Sequence, residues 1–170
     1  MDRQLEIVRA PRVIAVAAVL AAVAATVVAF VPSTTHAAEA SGAVVSTANT
    51  SLGRILVDSR GRTLYLFGRD RNGKSACSGQ CASFWPPLIT SGKPRVTSGA
   101  RASLMGTTKR ADGRLQVTYD HHPLYTFVKD TKAGQTNGEG VNAFGATWNV
   151  VSPAGAKVTK PTTSTGGGGG

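Results

Sequence analysis

Two cysteines and three histidines are all the chain offers as soft or borderline metal ligands. That is too little for a closed all-protein metal centre. Carboxylates are scarce as well, nine against nineteen Lys and Arg, which leaves a formal charge of +10. The chain lacks a Gly-x-Ser-x-Gly elbow, a His-Glu-x-x-His pair and a Cys-x-x-Cys-His haem signature, so serine-hydrolase, zincin and c-type haem chemistry have no foothold. The glycines of Gln135–Gly145 lie between expected strands and open no helix, which removes the phosphate-cradle reading. At 170 residues the chain suits one ordinary domain or two very small ones.

The first forty residues carry an address. Arg3, Arg9 and Arg12 precede Val13–Val31, apolar at every position except Thr26, and Pro32 ends the run. A basic start, an apolar core and a small-residue site at Ala38-Glu39-Ala40 make a secretory signal, with Thr35-His36-Ala37 as a competing cleavage point. An uncleaved anchor through residues 13–31 is the alternative, since the run nearly spans a bilayer core. No cysteine follows the run, so a lipid-acceptor thiol is missing there.

The remainder stays strongly basic, because residues 1–40 hold three Arg and three carboxylates. Such a charge favours anionic surfaces as partners. The basic residues (Arg54, Arg60, Arg62, Arg69, Arg71, Lys93, Arg110, Lys129 and others) are scattered, with no helical stripe and no aromatic-interleaved RNA motif. They read as a solvated surface, with no specific nucleic-acid site. Residues 41–51 are small and polar and read as a linker. Residues 154–170 end in five glycines and read as a disordered tail. Residues 52–153 remain as the folded domain.

Within that span strand patterns dominate. Leu115, Val117 and Tyr119 alternate with Gln116 and Thr118, and Asp112-Gly113 predicts a hairpin back to Leu104–Lys109. Asp120-His121-His122-Pro123 turns the chain into Leu124–Val128. Arg54–Asp58, Thr63–Phe67, Phe84–Ile89 and Thr147–Val151 supply further strands, and helix signals are nearly absent. An internal repeat organises them. Leu64-Tyr65-Leu66-Phe67-Gly68-Arg69-Asp70 matches Leu124-Tyr125-Thr126-Phe127-Val128-Lys129-Asp130 at an offset of 60, each copy followed by a glycine-bearing loop and a tryptophan, Trp85 and Trp148. The expectation is an all-β, pseudo-symmetric sandwich or barrel-like domain of two repeats, 52–100 and 101–153, neither able to cover its own apolar face.

The paired Tyr-x-Phe-x-x-Asp motif resembles a bacterial family of secreted repeats defined by a Tyr-x4-Asp motif. So does Cys77-Ser-Gly-Gln-Cys81-Ala-Ser-Phe-Trp85-Pro-Pro after the first copy. Phe144-Gly-Ala-Thr-Trp148 resembles the end of the family's second half. The resemblance implies export and a shared fold. Members are commonly described as lipoproteins of unknown function, so no reaction comes with it.

Tyr65 and Phe67, and likewise Tyr125 and Phe127, are two apart on a strand and point to one face. Asp70 and Asp130 follow at turns, where a carboxylate can accept backbone N–H groups. The six residues are read as core rings with loop-fixing carboxylates. A ligand site lined by the same hydroxyls and carboxylates is the alternative. Cys77 and Cys81, the only cysteines of an exported chain, are expected to form a disulfide. The alternative is a copper site of Cys77, Cys81 and His121 or His122, or a redox-active dithiol. The leading functional expectation is a non-enzymatic binding or structural module of the envelope or exterior, without a cofactor. An extracytoplasmic copper or thiol-redox protein is the second. Protein recovered outside the cell should begin near Ser41, as read by intact-mass measurement. Only full-length, detergent-extracted chain would contradict cleavage.

Overall fold

The computed structural model describes residues 42–158. Ten strands run in order: β1 (Val44–Thr50), β2 (Gly53–Asp58), β3 (Tyr65–Phe67), β4 (Ile89–Thr90), β5 (Arg95–Val96), β6 (Met105–Lys109), β7 (Leu115–Tyr119), β8 (His122–Pro123), β9 (Asn142–Ala143) and β10 (Ala146–Val150). One short helix, α1 (Gln80–Phe84), lies between β3 and β4, and a 3-10 turn at Ala102–Leu104 precedes β6. The sheets are ordered β2-β1-β5, β3-β10-β9 and β4-β7-β6 with β8 beside β7, and no barrel closes among the described residues. The domain is all-β apart from that single helical turn.

The two repeats trace the same path. β1 pairs antiparallel with β2, and β6 with β7. Each hairpin is followed by a leucine, Leu64 or Leu124, that opens the Tyr-x-Phe segment. Each repeat then donates its last segment to the other. Val151, from the second repeat, takes the Leu64 carbonyl with its N–H at 3.1 Å and receives the Leu56 N–H at 2.8 Å. Leu88, from the first repeat, does the same between Leu124 (2.9 Å) and Val117 (2.8 Å). Consistently, β10 pairs with β3 and β4 pairs with β7. Tyr65 and Tyr125 exchange both backbone hydrogen bonds, at 2.8 and 3.0 Å, where the pseudo-twofold axis passes.

The core lies on both sides of the β2 and β3 strands. Ile55, Val57, Tyr65 and Phe67 join Trp85, Tyr125, Phe127, Trp148 and Val150 in one cluster. Leu56, Leu64 and Leu66 join Val45, Val117, Tyr119, Leu124 and Val151 in the other. Strands buried on both faces read as continuous apolar runs, which Ile55-Leu56-Val57 and Leu64–Phe67 are.

Several expectations need correction. Residues 41–51 were expected to be a linker, but Val44–Thr50 is strand β1, paired with all of β2 from Thr50–Gly53 to Val45–Asp58. Its threonines and serine face partly outward, so composition alone misleads, while Val45 is fully buried. The first repeat thus begins before Leu52. The tail was expected to be disordered from Ala154, but Lys157 bridges Val151 and the Val158 N–H reaches the Val150 carbonyl at 2.8 Å. The export signal at 1–40 and the glycine tail beyond residue 158 lie outside the described residues. In place of a strand over all of Phe84–Ile89, α1 ends at Phe84, and the chain pairs through Pro87, Leu88 and β4. Leu124–Val128 likewise forms no regular strand, its backbone being held by bridges at Tyr125 and single hydrogen bonds at Leu124, Thr126 and Val128. Leu115 is exposed, whereas Gln116 on the supposed polar face is fully buried, because β7 is an interior strand.

The exchanged segments predict that residues 42–100 expressed alone give no cooperative thermal transition, lacking both Val151 and β10. A sharp two-state melt of that fragment would show that the first repeat is self-sufficient.

Candidate functional site

The motif residues converge on the pseudo-twofold axis as four parallel rings. Phe127 stacks on Trp85 (centroids 4.0 Å apart, planes 17°), Trp85 on Trp148 (4.0 Å, 3°), and Trp148 on Phe67 (4.1 Å, 9°). Each tyrosine meets this stack edge-on, Tyr65 at Trp85 (5.3 Å, 78°) and Tyr125 at Trp148 (5.1 Å, 87°). A Cβ at Gly138 would come within 2.7 Å of the Trp85 ring and 2.8 Å of the Tyr65 ring. Only glycine admits the loop there.

The polar ends of the motif are swapped between repeats. Tyr65 donates its hydroxyl to Asp130 Oδ2 at 2.5 Å, and Tyr125 donates to Asp70 Oδ2 at 2.8 Å. The other oxygen of each carboxylate fixes its own loop. Asp70 Oδ1 accepts the Ala76 N–H at 2.8 Å, and Asp130 Oδ1 accepts the Asn137 N–H at 2.9 Å. The Gly138 N–H reaches the Tyr65 hydroxyl at 3.2 Å. Burial pushes both carboxyls above their ordinary range, opposed by these hydrogen bonds. Burial also pushes both phenols upward, with the facing Asp adding to the shift. The tyrosines therefore remain neutral donors, and neither repeat's Asp holds its own repeat's Tyr.

Cys77 and Cys81 form a disulfide with Cα atoms 5.3 Å apart, both sulfur-bearing residues buried in the core. The loop it closes is held by a residue that sequence reasoning missed. Arg110, counted there with the solvated surface, is buried. Its guanidinium donates to the Cys77 carbonyl (2.7 Å), Gln116 Oε1 (2.6 Å) and Ser75 Oγ (2.9 Å), and Ser75 Oγ lies 2.8 Å from the Tyr125 hydroxyl. Nothing in the local sequence marks it, because its partners come from two other segments. The signal was the glutamine in the next strand, β7, at Gln116.

The copper alternative is not assembled. Both sulfurs are committed to a disulfide and offer no thiolate, and no three His, Cys, Asp or Glu side chains among the described residues are grouped to hold a metal ion. His121 and His122 instead line a polar cleft of about 270 Å³ with Asp70, Asn72 and Asp120. Asp120 and His121 both have positive φ, 47° and 63°, forming the two-residue turn between β7 and β8 that favours such backbone.

This chain belongs to the family of secreted repeats of unknown function, whose family model matches residues 46–89 and 106–152. The two matches start 60 residues apart, at the repeat offset, and the first includes most of β1. Membership places the chain among secreted proteins, and no helix among the described residues is long and apolar enough to cross a membrane. No curated protein and no solved structure matches it.

The raised carboxyls have a pH consequence. A folded-state value above the ordinary 3.8 means that the neutral form contributes stability below that value, and that this is lost as pH rises through the folded value. Asp70→Asn removes the titration. The melting-temperature advantage of the wild type over Asp70→Asn should be full below about pH 4 (the ordinary Asp value) and narrow toward neutrality. Asp112, held down at about 2 by Arg114, acts in the opposite sense but is common to both proteins. A pH-independent difference would show that burial does not govern the Asp70 carboxyl.

Proposed function

We propose that this is an exported, non-enzymatic module of the cell envelope or exterior that works by binding, with its repeated motif serving as the frame. The observation that carries this reading is the reciprocal closure of Tyr65 on Asp130 and Tyr125 on Asp70. An acid–base pair needs a carboxyl within reach of a substrate proton. Here both oxygens of each Asp are engaged by the protein's own donors. The disulfide supports the same reading, since closing a loop of this length stabilises by about 2 kcal/mol in the chain-entropy model, and it suits an oxidising exterior.

The test compares substitutions that keep or remove acceptors. Asp130→Ala leaves the Tyr65 hydroxyl and the Asn137 N–H without their acceptor and should cost about 2–4 kcal/mol. Asp130→Asn keeps an acceptor and should cost less, and Tyr65→Phe should cost about 1–2 kcal/mol. Thermal or denaturant melting measures all three. Unchanged stability in Asp130→Ala, together with loss of a chemical activity in Asp130→Asn, would make the carboxylate catalytic and sink the proposal.

A further inference from the structure

The fold sorts the charges in a way that composition does not. Residues 42–158 contain fifteen Lys and Arg and six carboxylates. Five of the six are partly or fully buried. Asp58 accepts the Arg60 and Arg62 N–H groups and pairs with the Arg62 side chain. Asp70 and Asp130 take the two tyrosines, Glu139 accepts the Val150 N–H at 2.6 Å, and Asp120 packs against Gly155. The one exposed carboxylate, Asp112, is taken by Arg114 at 2.7 Å. Among the described residues, ion pairs involve only Arg62, Arg110 and Arg114. The other twelve cations are exposed, and together they form a one-signed surface.

On that surface the two halves differ in apolar exposure beside the ring stack. Where the end of α1 at Phe84-Trp85 meets the Phe127-Val128 segment, one residue of each pair faces in and the other out. Trp85 and Phe127 stack inward, while Phe84 and Val128, joined by the Val128 N–H to the Phe84 carbonyl at 3.1 Å, point out and are 42% and 45% exposed. The equivalent pair in the other half is Gly68 and Thr147, joined in the same way at 3.0 Å. The ring of Phe144 lies 6.1 Å from that of Phe84. Phe144 occupies the first position of the two-residue turn between β9 and β10, with φ of 56°. That left-handed backbone is disfavoured for a bulky side chain and suits Asn or Gly. Arg69 donates to the Phe144 carbonyl at 3.1 Å, and Lys129 follows Val128. Arg69 and Lys129 occupy the same position in their repeats.

We propose that Phe84, Val128 and Phe144 form an insertion patch for an anionic phospholipid bilayer, with Arg69, Lys129 and the surrounding cations facing the headgroups. Charge complementarity selects an anionic partner. The three apolar side chains select a bilayer over a dissolved polyanion, which has no apolar layer to receive them. Phe144 is half-buried against the core cluster, with its ring beside the exposed Phe84. The inference rests on reading the domain as a binding module. Failure here, with the Asp and Tyr substitutions above still acting on stability, would leave that broader reading intact.

The test uses chain recovered from outside the producing cell and carrying Phe84→Trp, a local probe distinct from the two buried tryptophans. Vesicles of phosphatidylglycerol mixed with phosphatidylcholine should blue-shift its emission, salt should suppress the shift, and phosphatidylcholine alone should give little. Adding Phe144→Asn should weaken vesicle binding about tenfold, as expected for one lost buried Phe, and a thermal melt of the same variant reads separately what the substitution costs the core that Phe144 packs against. Arg69→Gln should weaken it about fivefold at low salt. No shift with the anionic vesicles, or an equal shift with phosphatidylcholine alone, would overturn the proposal. So would competition by soluble polyphosphate with Phe144→Asn binding like its parent, which would identify a dissolved polyanion instead.

Discussion

Each repeat lacks one strand and receives it from the other, and this exchange governs the rest of the structure. Leu56 and Leu64 leave backbone groups that only Val151 satisfies, and Val117 and Leu124 leave groups that only Leu88 satisfies. Unpaired backbone polar groups in an apolar core are costly, so each half depends on the other for those partners. The exchange also carries Trp85 and Trp148 across the axis, setting them face to face between Phe127 and Phe67. Aromatic pairs of this kind contribute about 0.5–1.5 kcal/mol each beyond their buried area. The stack therefore ties the two halves together at the point where the exchanged strands cross.

The spacing of the Tyr-x4-Asp motif follows from the same geometry. Tyr65 and Tyr125 lie on the axis as direct partners, so each side chain crosses into the other repeat's territory. The turn after each strand brings its Asp to the foreign hydroxyl rather than to its own. A shorter or longer interval would leave a phenol and a carboxyl buried and unmatched, at about 1–3 kcal/mol each. The motif is therefore a two-copy device. One copy alone has a donor without its acceptor, which is why a repeat defined by these residues comes in a matched pair in this chain.

Much of this was legible in the sequence, and what was missed shares a cause. The strands with clean periodicity or continuous apolar runs, β2, β3, β7 and β10, fall close to where their patterns place them, and the offset of 60 found both copies. The pairing of Tyr with the other copy's Asp was not readable, since no one-dimensional pattern distinguishes a swapped contact from a local one. β1 was missed because Val44–Thr50 has one fully buried side chain and a surface of Ser, Thr and Asn. The repeat itself held the missing signal, because β6 sits 60 residues later in the same role. Arg110 and Gln116 were misread for the complementary reason. Residue type suggests solvent, but the two terminal guanidinium nitrogens find three acceptors inside and the glutamine bridges them to the Leu124 carbonyl, while Arg110 Nε is left without a hydrogen bond.

The inward use of carboxylates links the frame to the surface. A chain of repeats stabilised by Tyr–Asp contacts, by Asp58 in the β2 turn and by Glu139 at β10 spends its few acids on architecture, so the cations are left outside without local neutralisation. Mutual repulsion among them works against the compact state, and that cost persists only because the core, the ring stack and the disulfide exceed it. Replacing surface Lys and Arg with neutral residues would relieve the repulsion without touching any contact of the frame. The surface charge is thus free to serve a partner, while the fold itself depends on the tyrosines and aspartates at its centre.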